Sequence, residues 1–130
     1  MRIYISGKMT GCPDLNRSAF DAAAKRLTAQ GHFVINPHRI SALFGTAEEL
    51  GYSFHIFYAI EHRTDNYCLR EDFEKQASLA RSVMDADIAA VRSCDAIYLL
   101  CGWEKSRGAK KELAEALAHE LTVMQEGGEE

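Results

Sequence analysis

The sequence lacks any long hydrophobic run: no stretch approaches the roughly 18 to 20 consecutive apolar residues of a membrane-spanning helix. No secretory hydrophobic segment opens the chain, and none of its four cysteines belongs to a CxxC pair. Cysteines used in this way are typical of reduced thiols in a cytosolic protein. We therefore predict a cytoplasmic protein that does not engage a membrane.

The sequence also lacks an excess of positive charge: it contains 15 lysines and arginines and 19 aspartates and glutamates, so its net charge is -4. A chain of this kind has no overall field that would hold nucleic acid. A small anionic ligand would need local positive groups instead. His38, His55, His62 and Cys68 match no spacing expected of a zinc site. We expect no metal and no cofactor.

The alternation of apolar runs is informative. The 130 residues, 47% of them hydrophobic, suffice for one domain spanning the chain. Strand-like and helix-like runs alternate, which predicts a doubly wound three-layer α/β sandwich with a mostly parallel sheet of four or five strands. Residues 39–82 are long for a connection and suggest a helical insertion, and residues 126–130 suggest a disordered tail. We expect strands at 2–6, 32–36, 95–100 and 121–124, and helices at 15–30, 47–63, 69–82, 84–93 and 106–119.

A glycine-containing loop follows the first strand. It carries neither GxxxxGK[ST] nor GxGxxG, yet its backbone N–H groups between Gly7 and Gly11 could hold a phosphate, with contacts from Lys8 and Thr10. The alternative is a tight turn that needs a positive φ at glycine.

A second polar loop follows the 95–100 strand and leads into a helix that carries Glu112 in its first turns. Ligands bind at the carboxyl ends of parallel strands. Glu112 could be a nucleophile, a general base, or only an acid that suits a helix amino end.

Two stretches of the chain look like one family. The first is IYISGKMTG from Ile3, and the second is CDAIYLL from Cys94 followed by GWEKSRGA from Gly102. They resemble the nucleoside 2-deoxyribosyltransferase-like superfamily, and within it a small bacterial and phage group. The likeness covers both ends of the chain and omits about residues 39–82. It implies a flavodoxin-like strand order, 2-1-3-4-5, and a homodimer or larger assembly.

The resemblance implies cleavage of the N-glycosidic bond in a 2'-deoxyribonucleoside or its 5'-monophosphate, by hydrolysis or by base exchange. It implies that Glu112 attacks the anomeric carbon, that Asp87 handles the base, and that Tyr4 lies beside the nucleophile. Such chemistry needs one carboxylate beneath the sugar and a second acid for the departing base.

The same resemblance implies a phosphate contact at Ser106, which favours a monophosphate, and a base pocket near Asp95 and Trp103. Each of these residues has a structural alternative: Ser106 as a helix N-cap, Asp95 as the end of an element, Trp103 as a loop closure. The remaining substrate or phosphate contacts would be Ser6, Gly7, Lys8, Thr10, Gly11, Gly108 and Ala109.

The chain departs from the active enzymes just before Glu112. Lys110 and Lys111 stand where those enzymes have small and aromatic residues. An alternative function is therefore a catalytically silent nucleotide-binding or sensor protein on the same fold.

Overall fold

The computed structural model describes residues 1–9, 11–44 and 70–127, without the side chains of residues 70–77. Its secondary structure alternates between strands and helices along the chain. The elements are β1 (Arg2–Ser6), a 3-10 turn (Pro13–Asn16), α1 (Arg17–Ala29), β2 (Phe33–Ile35), α2 (Pro37–Ser41), α3 (Arg70–Arg92), β3 (Ala96–Leu99), a second 3-10 turn (Trp103–Lys105), α4 (Arg107–Ala118) and β4 (Thr122–Gln125).

The four strands form one parallel sheet in the order β2-β1-β3-β4. Ile3 of β1 pairs with Val34 of β2 on one side and with Ala96 of β3 on the other. β2 therefore lies on one side of β1, and β3 and β4 lie on the other side. This confirms the predicted flavodoxin-like α/β fold and puts its switch point between β1 and β3, where ligands bind in such sheets.

Both faces of the central strands are buried, as is usual in a parallel sheet. Because side chains alternate along a strand, Ile3 and Ile5 face one layer and Tyr4 faces the other. Ile3 and Ile5 pack with Phe20 of α1. Tyr4 packs with Val91 of α3, on the face that α3 and α4 cover.

The middle of the chain differs from its prediction. The helices expected at 69–82 and 84–93 are one continuous helix, α3. No glycine or proline separates them, and Ala80, Val83, Asp87 and Val91 form one buried stripe at helical spacing. Asp87 is therefore an interior helix residue. The helix expected at 47–63 lies outside the described residues.

The start of the expected tail is ordered. Glu126 N donates to the Leu99 carbonyl at 2.8 Å, and Glu126 Oε2 lies 3.1 Å from Arg26 Nη2. The disorder predicted at 126–130 is thus wrong for Glu126, and residues 128–130 lie outside the described part. Among the helices described, none combines the length and apolar character needed to cross a bilayer.

Candidate active site

Two side chains of β1 hold Glu112 against the sheet. Tyr4 and Ser6 are two residues apart, so they face the same side of the strand. The Tyr4 hydroxyl donates to Glu112 Oε2 at 2.8 Å, and the Ser6 hydroxyl donates to Oε1 at 2.5 Å. Both oxygens of the carboxyl group are thereby engaged at the carboxyl end of β1, beside the switch point.

Burial at this position raises the pKa of Glu112 to about 7, although the hydrogen bonds from Ser6 and Tyr4 act in the opposite direction. The residue as a whole is half-buried. A carboxyl group with this pKa is partly ionised near neutral pH. It can therefore act as a base or a nucleophile there.

Asp87 reaches the same site from α3. The residue is 7% exposed, and among the described residues its Oδ1 atom has no hydrogen-bond partner. Burial, and secondarily the charge of Glu112, raise the pKa of Asp87 to about 8. A buried, unpaired carboxyl group is costly to keep. Its electrostatic coupling to Glu112 places the two carboxyl groups in one site.

Tyr4 stays protonated beside these two acids. Its burial, followed by the charges of Glu112 and Asp87, raises its pKa well above the ordinary value for tyrosine. Its hydroxyl therefore remains a hydrogen-bond donor to Glu112 at all physiological pH values. The structure thus brings together Glu112, Asp87 and Tyr4, the three residues that the resemblance singled out.

The β1–α1 loop is shaped by a close approach to β3. A Cβ atom on Gly7 would lie 2.9 Å from Leu100 Cβ, and Gly7 does not need a positive φ. Gly11 does need one, with φ of 86°. A Cβ atom built on Gly11 would lie 4.0 Å from Lys8 Nζ, so the lysine side chain folds back over its own loop. Thr10 lies outside the described residues.

Ser106 forms the N-cap of α4. Its side-chain oxygen accepts a hydrogen bond from the Ala109 amide at 3.0 Å, and Gly108 leaves the turn open. The hydroxyl proton is still available to a ligand, because a capping oxygen only accepts. The structural alternative for Ser106 is therefore confirmed, and it remains compatible with phosphate binding.

The amino end of α4 is unusually basic. Its first turn contains no acidic residue, although acids are the residues that the helix dipole favours there. The segment 103–111 carries one acid, Glu104, against a group of four bases that comprises Lys105, Arg107, Lys110 and Lys111. This concentration of charge suits an anionic ligand.

Two residues that were expected to contact a ligand have protein partners instead. Ser6 was expected at a phosphate, but it is 0% exposed and donates its proton to Glu112. Asp95 was expected in a base pocket, but its Oδ2 atom accepts from the Arg2 amide at 2.8 Å, at the amino edge of the sheet. Ser6 marks the opposite edge, four residues or about 13 Å along β1. Asp95 therefore ties β1 to the start of β3.

Trp103 lies at the correct edge but is half-buried and packs against the cluster that contains Tyr4 and Leu99. This arrangement supports its role in closing the loop over the core. No group of three potential metal ligands occurs within the described ranges.

The fold and the site together define a flavodoxin-like α/β protein with a pair of carboxyl groups in the crevice beside its switch point. The family described as Domain of unknown function (DUF4406) matches residues 1–78 and 76–125. The chain therefore belongs to the DUF4406 family. No curated protein and no solved structure matches the sequence significantly.

Proposed function

We propose that this protein cleaves the N-glycosidic bond of a 2'-deoxyribonucleoside or its 5'-monophosphate, with Glu112 as the nucleophile. The observation that carries the proposal is the convergence of Glu112, Asp87 and Tyr4 at the carboxyl edge of the sheet. These residues come from α4, α3 and β1, so only the fold unites them. The likeness of the two sequence stretches to the deoxyribosyltransferase-like superfamily supports the same chemistry.

In the first half of the reaction, a Glu112 oxygen attacks the anomeric carbon and forms a covalent glycosyl ester. The bond between that carbon and the base nitrogen breaks, and its electron pair leaves with the base. Asp87 gives its proton to the departing base and becomes ionised. Its higher pKa, about 8 against about 7 for Glu112, favours this division of roles.

In the second half, the glycosyl ester is attacked by water or by another base. Asp87 accepts the proton of the attacking group, and Glu112 leaves as a carboxylate. With water the products are the free base and the deoxyribose or its 5-phosphate, so the protein is a hydrolase. With an acceptor base the product is a new nucleoside, so the protein is a transferase.

A monophosphate fits the surroundings better than an uncharged nucleoside. The protein is acidic overall, yet Lys105 precedes α4, Lys110 lies in the first turn of α4, and Lys8 lies in the β1–α1 loop. A phosphate would neutralise this local positive charge and complement the helix dipole. We propose that the protein binds such nucleotides in the cytoplasm and that it does so as a homo-oligomer.

The test is chromatography of free base released from deoxynucleosides and their 5'-monophosphates, with and without an acceptor base. The wild-type protein should release base, Glu112→Gln should not, and Glu115→Gln should behave like the wild type. Glu115 is a suitable control because it lies on the same helix but bonds to Arg92. Equal release by Glu112→Gln would refute the proposed nucleophile. Binding without any release would favour the silent nucleotide-binding protein.

A further inference from the structure

The structure assigns Ser6 as a positioning residue, which holds Glu112 in its reactive orientation by donating a hydrogen bond to Oε1. The role of Ser6 in catalysis rests on the proposed function. It replaces the sequence-based expectation that this serine contacts a phosphate. Ser6 would act on the reaction through Glu112 alone.

Ser6 cannot touch a substrate in this structure, since its side chain is 0% exposed whereas Glu112 remains partly open. The distance from its Oγ atom to Glu112 Oε1 is 2.5 Å, within the range of charge-assisted O–H···O⁻ bonds. Such bonds are about twice as strong as neutral ones. The hydroxyl group therefore has a defined partner.

The two β1 anchors also fix the direction of the carboxyl group. Tyr4 and Ser6 stand about 6.6 Å apart along the strand, and each binds a different oxygen of Glu112. Oε2 is held by the deeper anchor, and Oε1 by the anchor at the carboxyl end of the strand. Because each anchor binds a different oxygen, the plane of the carboxyl group is fixed beside the edge where ligands bind in such sheets.

Loss of either anchor would let the carboxyl group rotate. A long glutamate side chain has several rotamers available, and ordering them costs free energy. In this fold the ordering is completed before substrate arrives, which is what preorganisation of a nucleophile requires. With Tyr4 alone, Oε1 would lose the hydrogen bond that now fixes it.

The same hydrogen bond favours the ionised form of Glu112. In the described residues, the titratable groups that face this carboxyl are Asp87 from α3 and Tyr4 from β1, with the Cys94 thiol next to Tyr4. Burial raises the pKa of Glu112, and the Ser6 hydroxyl opposes that rise more than Tyr4 does. Removal of the hydroxyl should therefore raise the pKa further and shrink the ionised fraction at pH 7.

The first test compares the pH profiles of Ser6→Ala and the wild type. We expect kcat at pH 7 to fall about fivefold with little change in KM, and the acidic limb to move up by about one pH unit. Ser6→Thr, which keeps a hydroxyl, should restore the limb. Ser41→Ala is the matched control, because Ser41 is also buried but its hydroxyl has no hydrogen-bond partner in the part of the chain that the structure describes. An unchanged kcat, or a loss by the same factor at every pH, would overturn the assignment.

The second test needs no turnover. A ¹³C NMR titration of the Glu112 carboxyl carbon, in protein labelled at glutamate, should show a midpoint about one pH unit higher in Ser6→Ala than in the wild type. An unmoved midpoint would overturn the role of Ser6. If the wild type releases no base from any nucleotide, the proposed function fails, but this titration still decides whether Ser6 controls Glu112.

Discussion

Replacing Asp87 with asparagine should stabilise the fold at neutral and alkaline pH, while it removes the proposed general acid. The carboxyl group is 7% exposed, and its pKa rises from the ordinary 3.8 to about 8. At pH 7 the unfolded chain carries the ionised form and the folded chain the protonated form. Because pH 7 lies about 3 pH units above the ordinary pKa of aspartate, keeping Asp87 protonated in the folded chain lowers the free energy of unfolding by about 4 kcal/mol.

The sign of this effect follows from proton counting. Between about pH 4 and pH 8 the folded state binds one proton more than the unfolded state at Asp87, so stability falls as pH rises. Asparagine has no such proton. The gain from Asp87→Asn should be smallest below pH 4, grow through this window, and stay constant above pH 8. At pH 7 we expect about 2 to 4 kcal/mol, because the buried amide remains unpaired and offsets part of the gain.

Urea denaturation at pH 5 and pH 8 measures this directly. The stabilisation by Asp87→Asn should be about 3.5 kcal/mol larger at pH 8 than at pH 5. Asp85→Asn is the control, since Asp85 is exposed on the same helix, and it should change stability by less than about 0.5 kcal/mol. A stabilisation that does not vary with pH, or a loss of stability at pH 8, would refute the reasoning.

Further predictions concern the two loops and the pH optimum. Gly7→Ala should lower the free energy of unfolding by about 1 to 3 kcal/mol, because its Cβ would meet Leu100. Gly108→Ala should raise the free energy of unfolding by about 0.5 to 1 kcal/mol, since its helix turn has room for a Cβ. Equal effects of the two substitutions in thermal melts would contradict the packing argument. Ser106→Ala should cost about 1 kcal/mol through loss of the cap, and unchanged urea stability would show that the cap contributes nothing. The rate of base release should peak between about pH 7 and about pH 8, because Glu112 is ionised above about pH 7 and Asp87 is protonated below about pH 8. An optimum near pH 5 in a pH-rate profile would contradict these roles.

The sheet could be predicted from the sequence because its signals are local. Strand-like runs bounded by glycine or proline predicted β1 and β3 to within about a residue or two. The α3 helix was divided in two because a polar residue such as Asp87 reads as the start of a helix. Its burial depends on a tertiary contact with α4, which no local pattern encodes.

The site was only partly predictable. Glu112 was indicated by its place after the second polar loop, whereas Asp87 and Tyr4 came only from a resemblance, because residues on α4, α3 and β1 have no spacing rule that unites them. The role of Ser6 was missed, although its position two residues after Tyr4 already predicts a shared face of the strand. Of the two roles predicted for Asp95, its bond to the Arg2 amide supports the structural one, because an acid that precedes a parallel strand lies at the amino edge, away from the ligand side.

The measurement that tests the central claim most directly is the mass of the protein after reaction with a 2'-fluoro-2'-deoxynucleotide. The fluorine slows both halves of the reaction by destabilising positive charge on the sugar, so a covalent intermediate can accumulate. We expect one glycosyl group on the peptide that contains Glu112, and none in Glu112→Gln. Release of base by the wild type without such an adduct, or an adduct on another residue, would contradict the account.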